Sequence, residues 1–131
     1  MCEFEIIDFY SRKQAIADGV LIDVTATAKE AGFRWSVALT DAVWETCVAW
    51  TDEDTARKGV PQDETRRLWD VVWVASRAAK ASRGTNRVAF EIARVLTEGD
   101  ETAPQAVQLE AIVGPGDDGE PVVTIQLPGE D

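Results

Sequence analysis

The sequence predicts an α+β domain in which three to four N-terminal helices precede a three-stranded antiparallel meander packed on one long helix, residues 63–82. Three observations carry this. The stretch from Asp63 to Ser82 reads DETRRLWDVVWVASRAAKAS. At about 100° per residue, Leu68, Val71, Val72, Ala75, Ala78 and Ala79 share one face of a helix, bordered by Val74 and by Trp69 and Trp73. A helix apolar over more than half its circumference packs on two sides, so this one is the spine, with Arg66, Arg67, Asp70, Arg77 and Lys80 on a narrow polar arc. Beyond Gly84 the period turns from helical to alternating, first in Val88, Phe90 and Ile92, then in Val107, Leu109, Ala111 and Val113, then in Val123, Ile125 and Leu127. Turn-rich loops join these runs, which is the signature of a meander.

Ahead of the spine, residues 3–10 alternate weakly around Phe4, Ile6 and Ile7 and read as a short extended arm or edge strand. Ser11 with Gln14 forms a capping box for a helix over about residues 12–18, and Gly19 supplies its left-handed stop. Val20 to Val24 reads as an apolar linker. TATAKEAGF is a second short helix ending at Gly32, after which Phe33 and Trp35 anchor the turn to the core. Val43, Cys47 and Trp50, widened by Trp44 and Val48, form a helical stripe. With Thr40 as N-cap and Asp41 in the first turn, the third helix covers about residues 38–52. Gly59 and Pro61 mark the loop before the spine.

The chain of 131 residues fits one domain, residues 1–131, with a substantial core. Its 45% hydrophobic and 28% charged content is that of a folded protein. Five tryptophans suggest large aromatic anchors or an adhesive surface. No apolar run approaches the roughly 18 to 20 residues of a membrane span, and MCEFEIIDFYS carries acids where a signal peptide needs bases. A cytoplasmic location is therefore expected. Cys2 and Cys47 are too few for a disulfide framework, and read as one surface and one core thiol.

The net charge is −11, unevenly laid out: residues 1–56 hold 4 bases and 11 acids, residues 57–97 hold 9 bases and 4 acids, and residues 98–131 hold 9 acids and no base. Direct nucleic-acid binding, which needs clustered Lys and Arg, is not expected. A basic protein partner, or pairing of the spine with the acidic ends, fits this layout.

Three candidate binding elements follow. Asp52, Glu53 and Asp54 fall where the third helix should end, opposing its dipole. They read either as a docking point for a partner's Arg or Lys, or as a loop paired with Arg57 and Lys58. In GPGDDGEP, residues 114–121, Asp117, Asp118 and Glu120 could offer oxygen ligands to a hard cation, but the spacing is not that of an EF-hand. The simpler reading is a hairpin turn with Asp118 and Gly119 at positive φ. Trp69 and Trp73, flanked by Arg66 and Arg77, form either a hot-spot edge or a core edge covered by arginine stems. Catalysis is not expected. There is no histidine, no phosphate-binding glycine loop and no nucleophile elbow. No cofactor or metal is expected either.

The segments RKQAIADGVLIDVTATAKEAGF, ALTDAVWETCVAW, DETRRLWDVVWVAS and VGPGDDGEPVVTIQLP resemble a family of small bacterial proteins of unknown function found on phages, plasmids and other mobile elements. The likeness spans about residues 10–131, with AIADGVL and GPGDDGEP its most specific parts; residues 97–106 and the first nine look variable. The resemblance supplies no catalytic residues but implies a mobile-element setting. By analogy, it points to an anti-CRISPR-like inhibitor that binds a host nuclease or CRISPR effector through acidic surface. The alternatives are a self-associating subunit, such as a homodimer held by the Trp69/Trp73 edge or an open sheet edge, and a small-ligand or metal-binding domain.

Overall fold

The computed structural model describes residues 10–82 and 84–130. Its helices are α1 (Arg12–Ala17), α2 (Thr25–Glu30), α3 (Asp41–Val43), α4 (Asp52–Lys58) and α5 (Glu64–Ala81). Its strands are β1 (Leu21–Asp23), β2 (Ser36–Thr40), β3 (Arg87–Arg94), β4 (Gln105–Pro115) and β5 (Pro121–Gln126). The class is α+β, but the sheet has five strands in the order β1-β2-β5-β4-β3, not three. The meander β3-β4-β5 is present and antiparallel. The free side of β5 takes β2 in parallel, and β1 pairs antiparallel with β2. No helix among the described residues is long and apolar enough to cross a membrane.

The two extra strands lie in segments expected to be a linker and the start of a helix. In β2, Val37 and Leu39 pair with Val123 and Ile125, and all four are almost wholly buried on the core face. The burial gained beside β5 outweighs the helical preference of this stretch, a tertiary effect that periodicity alone does not contain. Thr40 is an N-cap as expected, its hydroxyl accepting the Val43 N–H at 3.2 Å. The helix it starts lasts one turn and then widens into a π-turn over Trp44–Val48, where the Ala49 N–H donates to the Trp44 carbonyl at 2.8 Å. The wider turn leaves Val43, Cys47 and Val48 all fully buried. The chain then leaves the helix and starts α4, so the single helix over residues 38–52 is replaced by strand, π-turn and a new helix.

Elsewhere local chemistry and structure agree closely. Ser11 caps α1, accepting the Gln14 N–H at 2.9 Å, although Gln14 turns its side chain to Asp18 instead of closing the box. The chain leaves α2 through Gly32 at φ +114°. Phe33 packs against the core, but Trp35 remains 43% exposed at the surface and is not packed into the core as expected. The extended arm predicted over residues 3–10 lies, apart from Tyr10, outside the described residues, as does Cys2.

Helix α5 matches the predicted spine within a residue at each end. Val71, Val72 and Ala75 are fully buried against Phe90, Ile92, Leu109 and Ile125 of the sheet and Ala28 of α2. One residue of its expected polar arc is not solvated. Arg67 is 1% exposed, the largest side chain among the described residues to be so deeply enclosed. Its Nε donates to the Val48 carbonyl at 3.0 Å, and its Nη1 donates to the Val95 carbonyl and to Gln62 Oε1, each at 3.1 Å. The guanidinium carbon lies 5.0 Å from the centre of the Trp50 ring. Burial, and next the charge of Arg94, lower the pKa of Arg67. Arg94 donates to the Arg67 carbonyl at 3.1 Å and pairs with Asp70 at 3.4 Å.

Two outcomes follow. Arg67→Ala should lower unfolding stability by about 3–5 kcal/mol, because it strands two buried carbonyls, and Arg67→Lys should recover little of it, since an ammonium cannot form the fork; urea melts measure both. Burial also raises the Cys47 thiol to about 11. The folded state therefore holds the proton while the unfolded thiol, near 8.5, releases it, so stability falls as pH rises from the unfolded value through the folded one. In the native protein at pH 8, Cys47 should resist iodoacetamide and label only after unfolding, as peptide mass spectrometry would record.

Candidate functional site

Asp52, Glu53 and Asp54 do not end a helix; they begin one. Thr51 is the N-cap of α4 and forms a reciprocal capping box with Asp54, at 3.1 Å and 2.9 Å. The acids thus favour the helix dipole instead of opposing it. The capping hydrogen bonds from Thr51 lead the causes that lower the pKa of Asp54, while Asp52 and Glu53 point to solvent.

At its other end α4 grips the loop that follows β3. Arg57 donates to the carbonyls of Thr97 and Gly99, and Lys58, only 6% exposed, donates to those of Glu98 at 3.2 Å and Glu101 at 2.6 Å. The cations next to the acidic knot thus bind backbone oxygens, apart from an Arg57–Asp54 contact at 3.2 Å. Their effect is to bring Glu98, Asp100 and Glu101 to the helix that carries Asp52 and Glu53. Glu45 joins them, lining a small hollow together with Glu98. All six of these carboxylate residues are exposed. Exposed carboxylates from three separate parts of the chain are thereby carried on elements that touch one another.

The hairpin acids belong to the opposite end. The β4 strand has 11 residues and separates the loop before it from the turn after it by about 35 Å at ~3.3 Å per residue. The Asp52–Asp54 and Asp117–Glu120 groups therefore cannot form one surface. Within the turn only Gly119, at φ +84°, is left-handed; Asp118 is not, contrary to the sequence reading. Asp117 accepts the backbone N–H groups of Arg12 at 2.7 Å and Lys13 at 3.0 Å, capping α1 from a distant part of the chain. Glu120 accepts the Asp118 N–H at 3.0 Å. These carboxylates are directed at backbone donors, and among the described residues no group of three or more acidic or thiol side chains gathers as a metal site would require.

The tryptophan edge is divided between core and surface. Trp69 and Trp73 stack with ring centres 5.8 Å apart and planes inclined by 21°. Trp69 packs on the core while Trp73 is 42% exposed, with Arg77 lying 5.2 Å over its ring. Sequence reasoning paired Lys58 with the acidic knot and missed its contact with the loop carbonyls, and it missed the loop acids. The absence of any base beyond residue 94 was the available signal for the latter, but the contact with α4 depends on hydrogen bonds to carbonyls, which have no sequence signature.

Asp117 supplies a pH test. The Arg12 and Lys13 N–H groups hold its carboxyl below the usual range. A lowered folded pKa means that its stabilisation is present above the unfolded value and is lost as pH falls through the folded one. Asp117→Asn should therefore lower stability near neutrality and leave it little changed near pH 2, which flattens the acid limb of the stability profile, as thermal melts from pH 7 down to pH 2 would reveal.

Nothing among curated proteins or solved structures matches the chain. A family model does, over residues 2–131. By that match the chain belongs to the DUF6573 family, a family of unknown function.

Proposed function

We propose that the chain is a non-enzymatic interaction protein of a mobile genetic element. In this reading it is an anti-CRISPR-like inhibitor whose acidic pole occupies a basic, nucleic-acid-handling surface of a host defence protein in the cytoplasm. The observation that supports the reading is that Glu45, Asp52, Glu53, Glu98, Asp100 and Glu101 are all exposed, on α4, the turn of Glu45 and the loop that Arg57 and Lys58 hold through its carbonyls. Carboxylates held on a rigid frame compete with phosphates for the same Lys and Arg donors, which are matched by charge-assisted hydrogen bonds. The mobile-element setting comes from the resemblance carried by AIADGVL and GPGDDGEP.

A second reading, a self-associating subunit, is favoured by the exposure of Trp73. Sedimentation separates the two: a dimer that persists in high salt and dissociates on Trp73→Ala belongs to the second.

The test is affinity capture from a bacterial lysate at increasing salt. The captured protein should be basic, should be released by competing DNA, and should bind about tenfold or more weakly when Asp52, Glu53, Glu98, Asp100 and Glu101 are neutralised together. Neutralising Asp118 and Glu120 at the far end should leave binding unchanged. Capture that ignores salt and the pole variants would sink the proposal, as would direct binding of the chain to DNA in a band-shift assay.

A further inference from the structure

At the end of the sheet away from the acidic pole, a cleft of about 440 Å³ opens between the last turns of α5, the loop after α2 and the strand ends. Its floor is apolar. Ala79 comes from the helix, Val88 and Val113 come from β3 and β4, and the buried residues Ala111 and Val123 lie at its base. Its volume is in the range of small-molecule sites, which combine an apolar body with a few placed polar groups.

The mouth has the opposite character from the rest of the molecule. In a chain of net charge −11, the charged residues among the described ones lining this cleft are Arg34 and Lys80, both cationic. Neither forms an ion pair with a described residue. The Lys80 ammonium lies over the backbone of Gly32, where a Cβ would come within 2.8 Å of Nζ and 3.0 Å of the buried Ser76 Oγ. Trp35, half exposed beside Arg34, forms an aromatic wall of the mouth.

We infer that this cleft binds a small amphiphilic anion, a molecule with an apolar chain or ring system and one carboxylate, sulfonate or phosphate group. The apolar part lies on Ala79, Val88 and Val113. The anionic group meets Lys80 and Arg34, where charge-assisted hydrogen bonds add to the burial. The site is separate from the acidic pole and does not depend on the function proposed for it.

The probe is anilinonaphthalene sulfonate titrated onto the intact protein and followed by its fluorescence, with its neutral counterpart, phenylnaphthylamine, in parallel and octanoate as competitor. Saturable one-to-one binding of the sulfonate, displaced by octanoate, is expected. R34Q combined with K80Q should weaken the sulfonate by about tenfold or more and leave the neutral probe unchanged. Ala79→Phe, which fills the cleft from its partly exposed side, should abolish both; Asn86→Trp at the rim serves the same purpose if that variant does not fold. Absence of binding, equal loss of both probes in the charge variant, or undiminished binding in the filled variants would overturn the inference.

Discussion

The structure depends on a buried positive charge. Arg67 sits in the first turn of the spine where an apolar side chain would ordinarily pack, and it joins three parts of the chain that share no secondary structure. Those parts are the end of the π-turn at Val48, the end of β3 at Val95 and the loop at Gln62. Burying a guanidinium is costly unless its donors find partners. Here Nε and Nη1 find carbonyls and so offset part of the desolvation penalty, while the buried Nη2 has no hydrogen-bond partner among the described residues. Trp50 covers the flat face, and Arg94 extends the network through the Arg67 carbonyl to Asp70 at the surface. The spine is thereby fixed in rotation and in height relative to the sheet. The apolar contacts of Val71, Val72 and Ala75 would not do this alone, because dispersion and burial have little directional preference.

The parts of this fold legible in the sequence are those decided by neighbours a few residues apart. The spine, the alternation in β3, β4 and β5, and the caps at Ser11 and Thr40 belong to this class, because each rests on a periodicity or on a side chain reaching its own backbone. What was illegible depends on residues distant in the chain. Val37 and Leu39 are a strand because β5 lies beside them. Asp54 caps a helix that exists only because the preceding one stops in a π-turn. Arg67 reads as solvated because its partners are carbonyls and not carboxylates, and carbonyls are present at every position.

The same division applies to the candidate sites. Asp52, Glu53 and Asp54 were visible as an acidic knot, yet their role changed once the structure placed them at a helix start. Asp117 was visible as a loop acid, and it serves the first turn of α1. Lys58 and Arg57 hold the loop of Glu98 and Glu101 through its carbonyls, a contact with no local sequence signature. The cleft with Arg34 and Lys80 lies toward the end of β4, and that loop lies toward its start.

The parallel pairing of β2 with β5 has a bearing on how the chain reaches this state. Ser36 to Leu39 must find Val122 to Ile125, and everything between them is already folded against the same core. Closing so long a loop is paid for before its contacts are formed, which slows folding. During synthesis β1 and β2 can form their small hairpin early, but one edge of that hairpin stays open until Pro121 to Gln126 leaves the ribosome. Shortened chains that lack β5 would leave edges of both β2 and β4 unpaired, and such edges invite aggregation.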